Sequence, residues 1–164
     1  PLRFETARYG EYSKAGEFVY DHPFQWGSKR TGPDLHREGR GNKQNRPDSW
    51  HYLHMLEPQS ISPGSIMPAY PWLIDDDLNT DYTARKISAM RTLGVPYEEG
   101  MEEKVIGQME IQAKEIATSI AKDLQMGTNS EKQIEKLKKK EIVALIAYLQ
   151  RLGSDINNTE KETN

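Results

Sequence analysis

The segment SIMPAYPWL (Ser65–Leu73) places one thioether, two prolines and two aromatic rings within nine residues. Pro68 and Pro71 each have a fixed φ and no backbone N–H, which predicts an ordered loop rather than a helix or a strand. Met67 lies directly before a proline, where the backbone has little freedom. Its thioether is a soft, neutral ligand of the kind that raises the reduction potential of a haem iron. Taken alone, such a methionine is more often a packing residue, and both interpretations stay open.

Two other groups of residues could bind a metal. His51 and His54 stand three positions apart on a predicted helix, but no cysteine or acidic residue stands at zinc-site spacing. Hydrogen-bonded structural histidines are therefore the favoured interpretation. The acidic run Asp75–Asp77 lacks the glycine and the distal glutamate of an EF-hand loop, and is predicted to be the anionic start of a helix. No hydrolase motif and no phosphate-binding glycine-rich loop is present.

The composition excludes several classes of function. The chain has 164 residues, of which 35% are hydrophobic and 29% are charged, so it can form one modest core. A net charge of -3 offers no electrostatic basis for binding nucleic acid or an anionic membrane. Because there is no cysteine, disulfides, thiolate catalysis and cysteine-based metal sites are excluded. The chain begins with Pro1 rather than methionine, which leads us to expect a piece of a longer protein.

Hydrophobic periodicity predicts a mainly α fold with long ordered loops before Leu73. The segment RPDSWHYLHML predicts a short helix, and a second helix is expected to end at Gly94 and Pro96. Two longer helices are predicted at about Glu98–Gln125 and about Ser130–Leu152, with Gly153 as the C-terminal cap of the latter. Their apolar stripes are Val105, Met109, Ala113, Ile116, Ile120 and Leu124, and Ile142, Leu145, Ile146, Leu149 and Leu152. The first of these helices could bind a partner, but packing within its own domain is favoured.

The order of several long strings carries a family resemblance. RYGEYSKAGEFVYDHPFQWGSKRTGPDL, DSWHYLHML, SPGSIMPAYPWL and ARKISAMRTLGVPY resemble the mono-haem cytochrome c subunit, of the CcoO/FixO type, of cbb-type cytochrome c oxidase. The resemblance covers residues 1–97 almost continuously and resumes at EIVALIAYLQRLG (Glu141–Gly153). It implies a cytochrome c-like domain over residues 1–153, a helical insertion at residues 98–140 and a polar tail at residues 154–164.

The resemblance also implies a function. Such a domain is membrane-anchored at the periplasmic face of the bacterial inner membrane and passes electrons toward the oxygen-reducing subunit. The implied partners are that catalytic haem-copper subunit and a further cytochrome c subunit. The implied cofactor of the parent protein is haem c, and no residue of this chain is implied to catalyse bond chemistry.

The family pattern assigns roles to individual residues. Met67 matches the distal haem ligand, and Pro33 matches the proline whose carbonyl oxygen accepts the Nδ1–H of the proximal histidine. The candidates for the apolar wall, by their places in the matching strings, are Leu35, Tyr70, Trp72, Leu145 and Leu149. A calcium site is also associated with the family, and its best match here is the turn Trp26–Ser28.

The sequence departs from the family in one respect: it contains no Cys-x-x-Cys-His motif. The resemblance places that motif shortly before Pro1, with the membrane anchor further upstream. None of His22, His36, His51 and His54 therefore inherits the proximal role. The alternative function is a cofactor-free helical interaction or assembly module, which could be homo-oligomeric because a haem-sized apolar surface would need cover.

We predict that this chain carries no covalently bound haem, because a c-type attachment requires cysteine thiols. The check is an absorbance spectrum of the purified chain before and after extraction with acidic acetone. A c-type Soret band and α-band that survive extraction would contradict the prediction.

Overall fold

A computed structural model describes the chain over most of its length, and the described part is mainly helical with no strand, which confirms the predicted fold class. The described residues are 4, 6–7, 10–26, 32–39, 44–126 and 130–154. The helices from residue 48 onward are α1 (Asp48–Leu56), α2 (Pro58–Ile61), α3 (Trp72–Asp75), α4 (Thr83–Thr92), α5 (Met101–Asp123), α6 (Ser130–Leu137) and α7 (Glu141–Arg151). Two 3-10 helices precede them, at Ala15–Phe18 and Leu35–Arg37.

The chain forms two compact units. The central unit is Asp48–Ala147, and the terminal unit combines Pro1–Pro47 with Tyr148–Asn164. Helix α7 therefore contributes its first seven residues to the central unit and its last four to the terminal unit. The boundaries expected for a cytochrome c-like domain, an insertion and a tail remain predictions, and residues 155–164 lie outside the described part of the chain.

The core of the central unit is built mainly from α5 and α7. Ile120, Ile142 and Ile146 have no exposed surface. All six members of the predicted α5 stripe are buried or partly buried, so the expectation that α5 packs within its own domain is confirmed. Ala117 and Ala121 are buried on the same helix although the periodicity had not selected them. Their short side chains add little apolar signal to a pattern defined by larger residues.

The prediction of one helix over Ser130–Leu152 is wrong, because the structure has α6 and α7 with a break at residues 138–140. The backbone of that break pairs with residues 76–78: Leu78 N donates to Lys139 O at 2.8 Å, and Glu141 N donates to Asp76 O at 3.1 Å. Lysine has a favourable helix propensity, so local sequence gives no sign of an interruption. Tertiary hydrogen bonds decide the conformation here.

The acidic run Asp75–Asp77 does not start a helix either. Asp75 is the last residue of α3, and the Asp76 N–H closes that helix by donating to Trp72 O at 2.8 Å. Asp77 forms an isolated antiparallel bridge with Lys140. The next helix, α4, begins six residues later at Thr83. Within the run, the Asp77 carboxylate pairs with the Lys140 ammonium, 63 positions later in the chain.

We predict that Ile120→Ala lowers the free energy of unfolding by about 2–5 kcal/mol, because it leaves a cavity in the core cluster to which Ile120 belongs. Ile111→Ala is the matched control on the same helix, since the Ile111 side chain is 64% exposed. It should change stability by no more than about 0.5 kcal/mol. Urea denaturation followed by circular dichroism measures both values. Equal effects of the two substitutions would show that α5 is not part of the core.

Candidate functional site

The loop that carries Met67 runs from the end of α2 to the start of α3 in the central unit. Its first half is held by hydrogen bonds between residues close in sequence. Ser65 N donates to Ser62 O at 3.0 Å, and Gln59 Nε2 donates to Ser65 O at 3.2 Å. The Met67 N–H donates to Ser65 Oγ at 3.2 Å. The Met67 side chain is partly buried, whereas the neighbouring Ile66 is 83% exposed.

The second half of the Met67 loop is fixed from the opposite side. Tyr70 N donates to Met55 O, near the end of α1, at 2.8 Å. The rings of Tyr70 and Trp72 meet edge to face with centroids 5.3 Å apart. Trp72 is nevertheless 50% exposed. The loop thus carries the thioether of Met67 and exposed apolar side chains on a backbone that hydrogen bonds fix both before and after Met67.

Helix α3 fastens the loop to the core. Leu73 and Ile74 pack against the core cluster. The Lys140 ammonium donates to Asp75 O at 2.7 Å and to Asp77 Oδ1 at 2.6 Å. The hydrogen bond and the positive charge of Lys140 hold the pKa of the Asp77 carboxyl below its ordinary value. These contacts join residues more than 60 positions apart in the chain. The sequence alone shows a cluster of acidic residues and a separate cluster of lysines, and does not indicate that they pair.

In the terminal unit, Asp34 begins the short 3-10 helix that follows Pro33. One of its carboxylate oxygens accepts from Ser13 N at 2.9 Å and from Ser13 Oγ at 2.7 Å, and the other accepts from His36 N at 3.2 Å. Aspartate is among the best residues for capping exposed N–H groups at a helix start. Pro33 and Leu35 flank this buried acid and are themselves exposed.

Glu17 holds the same 3-10 helix from the other side. Its carboxylate accepts from both terminal nitrogens of Arg37, at 2.8 and 2.9 Å, and lies 3.2 Å from His36 Nδ1. Phe18 stacks on the His36 ring at 4.1 Å. Burial acts to raise the pKa of Glu17, but hydrogen bonds from Arg37 and from the Lys14 N–H outweigh it, and the pKa lies below its ordinary value. Because carboxylate, guanidinium and imidazole pair only in the folded chain, no local motif revealed this network.

Two glycines let the end of α7 approach this segment closely. A Cβ on Gly39 would lie 2.6 Å from Leu149 O. A Cβ on Gly153 would overlap the carbonyl oxygen of His36, and Gly153 has φ +69°. The left-handed conformation expected of a C-terminal cap at Gly153 is confirmed. The close approach itself was not predicted, since Gly39 stands in a loop with no periodic signal.

The predicted site residues divide between the two units. Met67, Tyr70, Trp72 and Leu145 belong to the central unit, and Pro33, Leu35 and Leu149 belong to the terminal unit. Tyr70 and Trp72 are in ring contact with each other, both within the central unit. Leu145 is partly buried, and Leu149 is 4% exposed. Their roles as a haem wall remain predictions. Of the turn suggested for calcium, Gly27 and Ser28 lie outside the described residues.

The residues present fit one side of a haem site. The Met67 thioether is a soft donor of the kind that binds haem iron, and its loop carries the exposed side chain of Ile66 and leads to that of Trp72. The chain has no cysteine, so no thioether link to a haem can form within it. In the part of the chain that the structure describes, no group of three or more His, Cys, Asp or Glu side chains could hold a metal. His54 instead stacks on Trp50, with ring centroids 4.4 Å apart.

A comparison with protein-family models gives a match. The family model described as cytochrome c oxidase, mono-haem subunit/FixO matches residues 1–156, nearly the whole chain. No curated protein matches the sequence. Over the described residues, none of the helices is both long enough and apolar enough to cross a bilayer.

We predict that Glu17→Gln lowers the free energy of unfolding at neutral pH by about 1.5–3 kcal/mol, since it weakens hydrogen bonds to a charged partner. The folded-state pKa of Glu17 is lowered, so its stabilisation is complete above the unfolded pKa of about 4.3 and is lost as the pH falls through the folded value. The variant should therefore lose stability less steeply in acid than the wild type.

Denaturant titrations between neutral pH and about pH 3 test this prediction over the range in which glutamate titrates. Glu11→Gln is the matched control, because the Glu11 side chain is 79% exposed and pairs only with Lys14 among its described ion pairs. Parallel stability curves for the wild type and Glu17→Gln would contradict the assignment.

Proposed function

The chain belongs to the FixO family of cytochrome c oxidase mono-haem subunits, and from this premise we propose that it is the electron-transfer domain of a cbb-type oxidase. The observation that carries the proposal is the match over residues 1–156, which includes the Met67 loop, Pro33 and Leu149. When bound, the haem would supply the one-electron redox centre. The residues of this chain would hold it, set its potential and form docking surfaces.

Met67 would be the distal ligand. The backbone hydrogen bonds of Ser65, Met67 and Tyr70 fix the loop on both sides of the thioether. A ligand held in this way loses little conformational freedom on binding, which favours coordination by a weak donor such as sulfur. The exposed side chains of Ile66 and Trp72 provide apolar area beside it. Burying such area against a large apolar group is favourable by about 25 cal/mol per Å².

Pro33 would serve the proximal histidine. The carbonyl oxygen of Pro33 would accept the Nδ1–H of the proximal histidine and so orient the imidazole. By their places in the matching family strings, the apolar wall residues would be Leu35, Tyr70, Trp72, Leu145 and Leu149. The network of Asp34, Glu17 and Arg37 supports this assignment, because it holds the Pro33–Leu35 segment in one conformation.

The proposed partners are the haem-copper subunit that reduces oxygen and a further cytochrome c subunit. The domain would work at the periplasmic face of the bacterial inner membrane. Because the chain lacks cysteine, covalent attachment of haem c would need a Cys-x-x-Cys-His motif outside these 164 residues. The lack of cysteine also favours a second candidate: a haem-free helical interaction or assembly module, which could pair with a second copy through exposed apolar residues such as Ile66 and Leu35.

We predict that Met67→Ala lowers the reduction potential by on the order of 100 mV, within the ~0.8 V range that axial ligands set. It should also remove the sulfur-to-iron charge-transfer band. The measurement uses the chain extended upstream to include Cys-x-x-Cys-His and co-expressed with the haem-maturation machinery. Met67→His should keep a six-coordinate iron with a lower potential, because imidazole replaces thioether.

Met101→Ala is the control, since Met101 is also partly buried but begins α5. Its potential and spectrum should equal those of the wild type. If Met67→Ala leaves both unchanged, Met67 is not the ligand. Failure of the extended, co-expressed chain to incorporate haem would favour the interaction module instead.

A further inference from the structure

Lys140 is an unusual lysine because its side chain is only 11% exposed. A buried ammonium is costly unless it is fully paired. Here it donates to the carbonyl oxygen of Asp75 at 2.7 Å and to the carboxylate of Asp77 at 2.6 Å. The neighbouring Lys138, by contrast, pairs with Glu135 one helical turn earlier. Within the run Lys138–Lys140, Lys140 is therefore distinguished by its buried contacts with Asp75 and Asp77.

The partners of Lys140 belong to the segment that continues the Met67 loop. Asp75 is the last residue of α3, whose first residue, Trp72, closes the loop. The carbonyl groups at a helix end have no intrahelical partner, and a buried cation can satisfy them. The ammonium of Lys140 satisfies the carbonyl oxygen of Asp75. It also forms an ion pair with the carboxylate of Asp77, two residues after the end of α3.

Backbone pairing reinforces this contact. Leu78 N donates to Lys139 O, and Glu141 N donates to Asp76 O, so residues 76–78 and 139–141 form a short antiparallel strap. Directly after the strap, α7 enters the core through Ile142, which is fully buried. The end of the Met67 loop that leads into α3 is thus tied to the buried start of α7, and Tyr70, in the second half of the loop, is tied to Met55.

We propose that Lys140 is a positioning residue for the Met67 loop. By joining Asp75 and Asp77 to the start of α7, it limits the motion of α3 and so keeps the thioether of Met67 in place to bind the haem iron. The last step rests on the proposed function. The side chain that sets the ligand geometry then stands 73 positions away from the ligand in sequence. A methionine bond to iron is weak enough that loop mobility alone would change how readily another ligand replaces it.

The first test measures backbone hydrogen exchange in this chain. Lys140→Met keeps an unbranched apolar side chain but removes the ammonium. We expect the amides of Tyr70, Asp76 and Leu78 to exchange about tenfold faster, which corresponds to about 1.4 kcal/mol of lost protection. The amides of residues 116–120 in the core should not change. Lys138→Met is the matched control and should leave the loop amides at the wild-type rate, and Lys140→Arg should restore most of the protection.

If Lys140→Met fails to fold, Asp77→Asn provides the milder variant. The Asp77 side chain is 68% exposed, and its replacement leaves the bond from Lys140 to the Asp75 carbonyl intact. It should speed the exchange of the same amides by a smaller factor, about two- to threefold. Unchanged loop exchange in a folded Lys140→Met or Asp77→Asn variant would overturn the proposal.

The second test uses the haem-loaded subunit and titrates it with imidazole, which competes with the thioether for iron. The charge-transfer band should disappear at about tenfold lower imidazole in Lys140→Met than in the wild type, and Lys138→Met should match the wild type. Faster loop exchange with an unchanged imidazole titration would overturn the positioning role, because it would leave Lys140 as a structural clamp only. Persistence of the band in Met67→Ala would instead show that the proposed ligand is wrong, independently of the exchange result.

Discussion

Backbone pairing between residues 76–78 and 139–141 is the contact on which the central unit depends. It divides what would otherwise be one helix into α6 and α7, and so determines where the apolar stripe of α7 begins. It also fixes the end of α3, and with it the loop that contains Met67. The Lys140 ammonium lies within this pairing and satisfies a carbonyl that neither helix could satisfy. One short strap therefore serves both the packing of the core and the order of the candidate ligand loop.

The terminal unit is held by different means. Its described residues include few buried apolar side chains, chiefly Phe18 and Leu149, and several buried charged ones. Glu17 and Arg37 pair in a bidentate geometry, which is the most favourable form of such an ion pair. Close backbone contacts at Gly39 and Gly153 add to this network. Such contacts specify one conformation strongly, because each partner that is lost leaves a buried polar group unsatisfied.

The features that could be predicted from the sequence are those that arise from local hydrophobic periodicity and from residues that start or end helices. The helical class, the buried stripe of α5 and the left-handed cap at Gly153 follow from residues close together in the chain. The break at Lys138–Lys140 did not, since its cause lies 60 residues away in the acidic segment after α3. The Glu17–Arg37 pair and the close approach at Gly39 were missed for the same reason. The family assignment came from long matching strings, whereas the contact between Lys140 and the Met67 segment appears only in three dimensions.

The exposure of Ile66 and Trp72 has a thermodynamic consequence. Both side chains stand on backbone that hydrogen bonds already hold in place, so the entropic cost of ordering them is met when the chain folds. An apolar group that docks against them gains their dehydration free energy with little further ordering. The exposed side chains of Ile66 and Trp72 are therefore preorganised for association with an apolar group. The same rigidity that would serve a ligand loop would equally favour the docking of any other apolar surface.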